Sequence, residues 1–254
     1  MDYLSLEYLK EVLPFIVLGV LPSLIWLIYF LEKDNDPEPK IRISLVFVFG
    51  VLGALSAASI QGPAREALYS MDVAHLSETE MLLIRFFDSF VLVAFLEELV
   101  KLAAVFIGVF ALGVKELDEP VDFIIYMITA GLGFAALENY IYFSRAPSAM
   151  MAELVFLRFA ITTLFHGMVA GILGYFLALS IRKMRGRLIF TGLIVVTFLH
   201  TLYNILIELM SGSNHLGYPI SLLTFLFLLT ALLLKAFKDT KEMKGVCKPD
   251  FLLD

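Results

Sequence analysis

The sequence predicts an all-α fold: a polytopic membrane bundle of about seven transmembrane helices. Three observations predict it. Of the 254 residues, 60% are hydrophobic and mean hydropathy is +0.88, against about 45–50% apolar for a soluble domain. The excess runs along the whole chain rather than in one segment. Short polar breaks rich in Pro, Gly and charge then cut it into pieces of membrane-crossing length.

A span needs about 20 largely apolar residues to cross roughly 30 Å of hydrocarbon. The first covers residues 13–31. MDYLSLEYLKEVL before it lacks a basic region and no small-residue cleavage site follows, so it reads as a retained span and not a signal peptide. EKDNDPEPK (32–40), with two prolines, separates it from a second span at 43–60. QGPAREALYSMDVAHLSETE (61–80) is polar, with helical spacing at Ala64, Leu68 and Met71, and reads as a short surface helix. The third span, 86–113, is long enough to tilt. VKELDEPVD (114–122) leads to a fourth at 123–143, followed by a fifth at 156–180. Basic RKMRGR (182–187) precedes the sixth, 188–210, and the turn SGSNHLGYP (211–219) precedes the seventh, 217–236. Residues 1–240 form one membrane domain and 241–254 a short polar tail. No internal repeat is present.

Lys and Arg set the orientation. One face collects thirteen of them, including RKMRGR and the tail; the other holds five, Lys10, Arg65, Arg85, Arg145 and Arg158. The N-terminus is therefore expected outside and the C-terminus in the cytoplasm. A net charge of −6 without a basic patch argues against nucleic acid. The single Cys247 cannot form an internal disulfide.

Against this apolar background some residues are out of place. FLEELVKLAAVF (95–106) places Glu97, Glu98 and Lys101 within a span. Glu138 and Asn139 follow in GFAALENYIYF, His166 in TTLFHGMVAG, and His200 and Asn204 in VTFLHTLYNIL. An ionised group at mid-bilayer costs roughly 2.5–3.5 kcal/mol on insertion scales, and a Leu returns only about 0.3–0.6. Such groups are tolerated when they face one another or a wet cavity, and function is then the default reading. At 1.5 Å per residue, Glu97, Glu138, His166 and His200 all fall in the outer half of the membrane, if Arg85, Arg145, Arg158 and Arg187 mark the interfaces. Small residues around Glu138 and His166 allow close helix approach.

Two carboxylates, an ammonium, two imidazoles and two carboxamides are the parts of a hydrolase: a Glu as base for water and donors for an oxyanion. Glu97, His166 and His200 are also a plausible catalytic zinc set, two His and a Glu with an open position. No HExxH or GxSxG occurs, so the residues alone leave other classes open. One is a non-catalytic scaffold in which Glu98–Lys101 and the carboxamides only join helices. Another is a transporter or a haem carrier with His166 and His200 as paired ligands.

EELVK (97–101), EPVDFIIYMITAGLGFAALENYIYF (119–143), FHGMVAG (165–171) and HTLYN (200–204) resemble the motifs of the PrsW family of intramembrane proteases. That family is related to the CAAX-prenyl endopeptidases and the abortive-infection proteins. The likeness covers about residues 85–210, and the E-E-x-x-K spacing points to the PrsW branch. It implies peptide-bond hydrolysis, with Glu97 as base, Glu98 and Lys101 supporting it, Glu138 and His166 lining the site, and His200 with Asn204 on the oxyanion or a metal. PrsW proteins are catalogued as metalloproteases and their CAAX relatives are argued to be glutamate proteases, so zinc is an open expectation. The resemblance further implies an extracytoplasmic cut in a membrane-anchored, anti-sigma-factor-like substrate, in a prokaryotic cell membrane.

Overall fold

A computed structural model describes residues 6–34, 36–70, 76–110, 119–212 and 215–243. His75, Cys247 and the tail from residue 244 onward lie outside the described residues. No strand occurs among the described residues. Helix α1 spans Leu6–Leu31 and α2 spans Lys40–Tyr69. Then α3 (Glu78–Phe87), a π-helical stretch Asp88–Phe95, α4 (Leu96–Val105) and a second π stretch Phe106–Phe110 follow one another without a gap. Helix α5 covers Pro120–Arg145 and α6 Met151–Leu157; a third π stretch, Arg158–Thr163, leads into α7, Leu164–Arg182. Helices α8 (Arg187–Gly212) and α9 (Gly217–Glu242) close the bundle.

Six helices are long and apolar enough to cross a membrane, and they match six of the seven expected spans. The expected third span, 86–113, lies in the continuous run from Glu78 to Phe110. Glu97, Glu98 and Lys101 make that run too charged to count by hydrophobicity. The expected surface helix at 61–80 is not a separate element. Its first nine residues, 61–69, extend α2 through Pro63. A new start at Ser77 caps α3, where Ser77 N donates to Glu80 Oε2 at 2.8 Å and Glu80 N to Ser77 Oγ at 3.3 Å. These bonds favour the charged form of the exposed Glu80 and lower its pKa.

Helix α5 is the hub. Buried residues make up 94% of its most apolar stretch, against 22–28% for α1, α2 and α9, which face outward. Its N-terminus carries Pro120 at the first turn, and Glu119 N donates to Asp122 Oδ2 at 2.9 Å. The packing around it requires glycine. A Cβ on Gly133 would lie 2.1 Å from Phe47 O of α2, and one on Gly131 would lie 2.7 Å from His166 O of α7. Without a hydrophobic drive between helices in lipid, this close backbone approach supplies the van der Waals contact that holds them. It also sets Glu138, five residues beyond Gly133, against α7.

Candidate functional site

Two of the π stretches end just before residues of interest. Asp88–Phe95 stops two residues short of Glu97, and Arg158–Thr163 three residues short of His166. A π turn takes in about one extra residue and rotates everything beyond it relative to the preceding helix; such turns occur often at functional sites. The first starts at Asp88, buried and bonded by Arg65 Nε at 2.9 Å and by Tyr69 Oη at 2.9 Å, both from the end of α2. The second starts at Arg158, also buried. Each wide turn is thus anchored by a polar side chain at its first residue.

Beyond these turns, groups from four helices meet. Lys101 Nζ lies 2.7 Å from Glu98 Oε1 and 3.0 Å from His166 Nδ1. His200 Nδ1 also lies 2.7 Å from Glu98 Oε1. The carboxylate accepts both bonds, so His200 carries its proton on Nδ1 and leaves Nε2 bare. Nε2 of His200 faces Glu97 Oε2 at 3.7 Å. The Lys101 ammonium donates to His166 Nδ1, so Nε2 of His166 holds the proton and donates it to Glu138 Oε2 at 2.7 Å. The Lys101 charge rests over the Phe134 ring, 4.6 Å from its centroid. Phe165 stacks on Tyr203 with centroids 3.8 Å apart and presents its edge to His200.

Of the expected residues, Glu97, Glu98, Lys101, Glu138, His166 and His200 come together. All but Glu138 are buried, and its side chain is 24% exposed. Glu138 therefore marks the mouth. Asn139 points the other way: its carboxamide accepts from Arg158 Nε at 2.6 Å and donates to Thr163 Oγ1 at 3.0 Å and Gly19 O at 3.3 Å. It ties α1, α5 and the second π stretch together. Asn204 is half-buried one turn beyond His200, and among the described residues no hydrogen bond links it to the cluster.

Two participants were not expected. Gln61 Nε2, from the extension of α2, donates to Glu97 Oε1 at 3.2 Å. Arg158, counted in the sequence as an outer-flank cation, is instead buried. It lies 3.0 Å from Glu138 Oε2 and stacks over Tyr142 at 4.1 Å. A lone Arg near the end of an apolar stretch reads as an interfacial anchor; only the π turn brings it inward. Its partnership with Glu138 was not visible in spacing.

Charge balance singles out one group. Lys101 neutralises Glu98 and Arg158 neutralises Glu138. Glu97 has only the neutral Gln61 as donor, and its Oε2 is buried without a hydrogen bond. A buried, unpaired carboxylate oxygen beside a bare imidazole nitrogen is suited to take a proton from water or to bind a cation. Glu97, His166 and His200 each offer an atom within 4.8 Å of the others, and the set fits a catalytic divalent metal. Glu97 Oε2 and His200 Nε2 are free for it. Glu98 behind His200 is the carboxylate that commonly orients a ligating imidazole. His166 would have to exchange its bond to Glu138. The two imidazoles meet edge to face with centroids 5.3 Å apart, which leaves no slot for a haem plane between them.

A family model described as PrsW family intramembrane metalloprotease matches residues 38–233. Protease PrsW of Geobacillus kaustophilus (strain HTA426) is 30% identical over 236 residues, which cover 91% of this chain and 92% of that protein. Protease PrsW of Bacillus subtilis (strain 168) is 28% identical over 213 residues, 82% and 88% of the two chains. Protease PrsW of Oceanobacillus iheyensis (strain DSM 14371 / CIP 107618 / JCM 11309 / KCTC 3954 / HTE831) is 27% identical over 227 residues, 88% and 94% of the two. No solved structure matches significantly.

Proposed function

The chain belongs to the PrsW family of intramembrane metalloproteases, and from that premise we propose that it hydrolyses a peptide bond of a membrane-anchored protein at the Glu97–His166–His200 cluster. It is an integral, multi-pass membrane protein and an intramembrane endopeptidase. The observation that carries the assignment to this cluster is the unpaired Glu97 Oε2, buried 3.7 Å from His200 Nε2.

In this reading a water sits between those two atoms. Gln61 holds the other oxygen of Glu97 and so aims Oε2 at the water. Glu97 takes a proton as the water attacks the scissile carbonyl. His200, its Nδ1 fixed on Glu98, presents Nε2 to the carbonyl oxygen or the leaving amine and donates once protonated. Glu98 stabilises that imidazolium, and Lys101 keeps Glu98 ionised for the purpose. His166, held between Lys101 and Glu138, lines the far wall. A divalent metal held by Glu97, His166 and His200 would act as a Lewis acid and lower the pKa of its bound water. Asn204 reaches the oxyanion only if substrate binding turns its carboxamide toward His200.

The cluster lies in the half of the bundle that holds the end of α2 and the end of α5. The positive-inside asymmetry makes that the extracytoplasmic half, in a prokaryotic cell membrane. The finer expectation, an anti-sigma-factor-like substrate, rests on the family resemblance alone. The test is purified protein in liposomes with a single-span reporter substrate. Wild type should cleave near the extracytoplasmic end of the span, and Glu97→Gln should insert and melt like wild type without cleaving. An uncut reporter with wild type, or equal cutting by the variant, overturns the reading. Retained cleavage after exhaustive chelation would remove the metal from it.

A further inference from the structure

A second cavity lies away from this cluster, between α1, α7 and α9. It encloses about 270 Å³ and is walled by Trp26, Phe30, Met168, Leu233 and Phe237. Three lysines rim one end, Lys33, Lys238 and Lys241. That end is where α1 finishes and α9 finishes, at the face that the Lys/Arg count makes cytoplasmic. The groove climbs from there toward Leu164 and Met168 near mid-membrane. His166 lies between those two in sequence but on another side of α7, turned to α5 and α4.

We propose that this groove is a binding site for an anionic phospholipid of the cytoplasmic leaflet, with an acyl chain in the trough and the headgroup phosphate among the three lysines. Polarity and direction both match one lipid molecule. The lining is apolar toward mid-membrane and cationic at the interface, the order of tail and headgroup in that leaflet. Basic pockets between helices on the cytoplasmic side are the known kind of site for such headgroups. Size argues against a helix as occupant: one turn, about 10 Å across and 5.4 Å long, displaces roughly 400 Å³. Neighbouring contacts keep the lysines in reach of the interface. Lys33 rests over the Tyr29 ring, 4.4 Å from its centroid. Lys241 Nζ donates to the Lys33 carbonyl. Lys238 has only an exposed, 3.8 Å partnership with Glu242, which salt and a phosphate readily displace.

The test uses the full chain in detergent with phosphatidylglycerol or phosphatidylcholine added at equal acyl composition, read by native mass spectrometry and by thermal shift. Each lysine near a charged surface contributes of order 1 kcal/mol before screening, so wild type should prefer phosphatidylglycerol about tenfold or more. Lys33→Gln/Lys238→Gln/Lys241→Gln should bring the preference to within about twofold, and the Arg replacements should keep it. Thr230→Phe, which fills the trough, should weaken binding of both lipids. Glycerol phosphate, which lacks chains, should not stabilise the protein. Equal binding of the two lipids by wild type overturns the site. So does a preference that survives the triple Gln change, or one reproduced by glycerol phosphate.

Discussion

Helix α5 carries a polar cluster at each end, and the two are built differently. At its N-terminal end Asp122 and Tyr126 are buried with Asp34 and Glu38 from the α1–α2 connection. Tyr126 donates a short hydrogen bond to Glu38, and Asp122 closes the capping box with Glu119. These groups are mostly acidic, and their contacts serve helix starts and a loop. At the other end Glu138 joins three helices and a π turn through groups of both signs, and one carboxylate oxygen is left over. Both clusters are buried, so burial alone does not mark function. The distinguishing signs are mixed charge, imidazoles with one face open, and a surplus negative group that no cation neutralises.

That contrast yields predictions of decreasing size. Glu97→Gln should lower cleavage of the reporter by about 10²–10⁴-fold, whereas Asp122→Asn at the other end should leave the rate within about threefold; comparable losses would erase the distinction. Lys101→Met should destabilise the fold by about 3–5 kcal/mol, because Glu98 is then a buried charge without a partner. Much of that loss should return in the Lys101→Met/Glu98→Gln double variant, measured by urea or thermal unfolding in detergent. Arg158→Gln removes a charge-assisted bond to Glu138 and should cost about 1.5–3 kcal/mol of stability, together with a lower kcat. If it changes only melting, Arg158 belongs with the structural cluster. Smallest of all, Tyr126→Phe should cost about 1 kcal/mol of stability and leave kcat unchanged.

Much of this was legible in the sequence for a physical reason. Ionisable residues are so costly in lipid that Glu97, Glu98, Lys101, Glu138, His166 and His200 stand out one by one, and the structure brings these six together. Apolar length likewise gave the helices, although Gln61 through Tyr69 looked polar enough to leave the membrane and instead lengthen α2. Three things were hidden. Arg158 sits where an interfacial anchor would, and Gln61 in what reads as a loop. Asn204 has the i+4 spacing to share the His200 face, yet no bond to the cluster is formed. In each case helical phase decides, and the π turns that set the phase leave no mark in hydropathy.

Those wide turns have a consequence for how the chain tolerates change in length. A π turn is the footprint of one residue too many for an α-helical register. Deleting one residue between Asp88 and Phe95 should let that turn relax to ordinary winding with its hydrogen bonds intact. The two halves would then swing by about 100° relative to each other, parting Asp88 from Arg65 or Glu97 from His200. The same loss of one residue at an α-helical position in α9 would rotate mostly lipid-facing side chains among themselves.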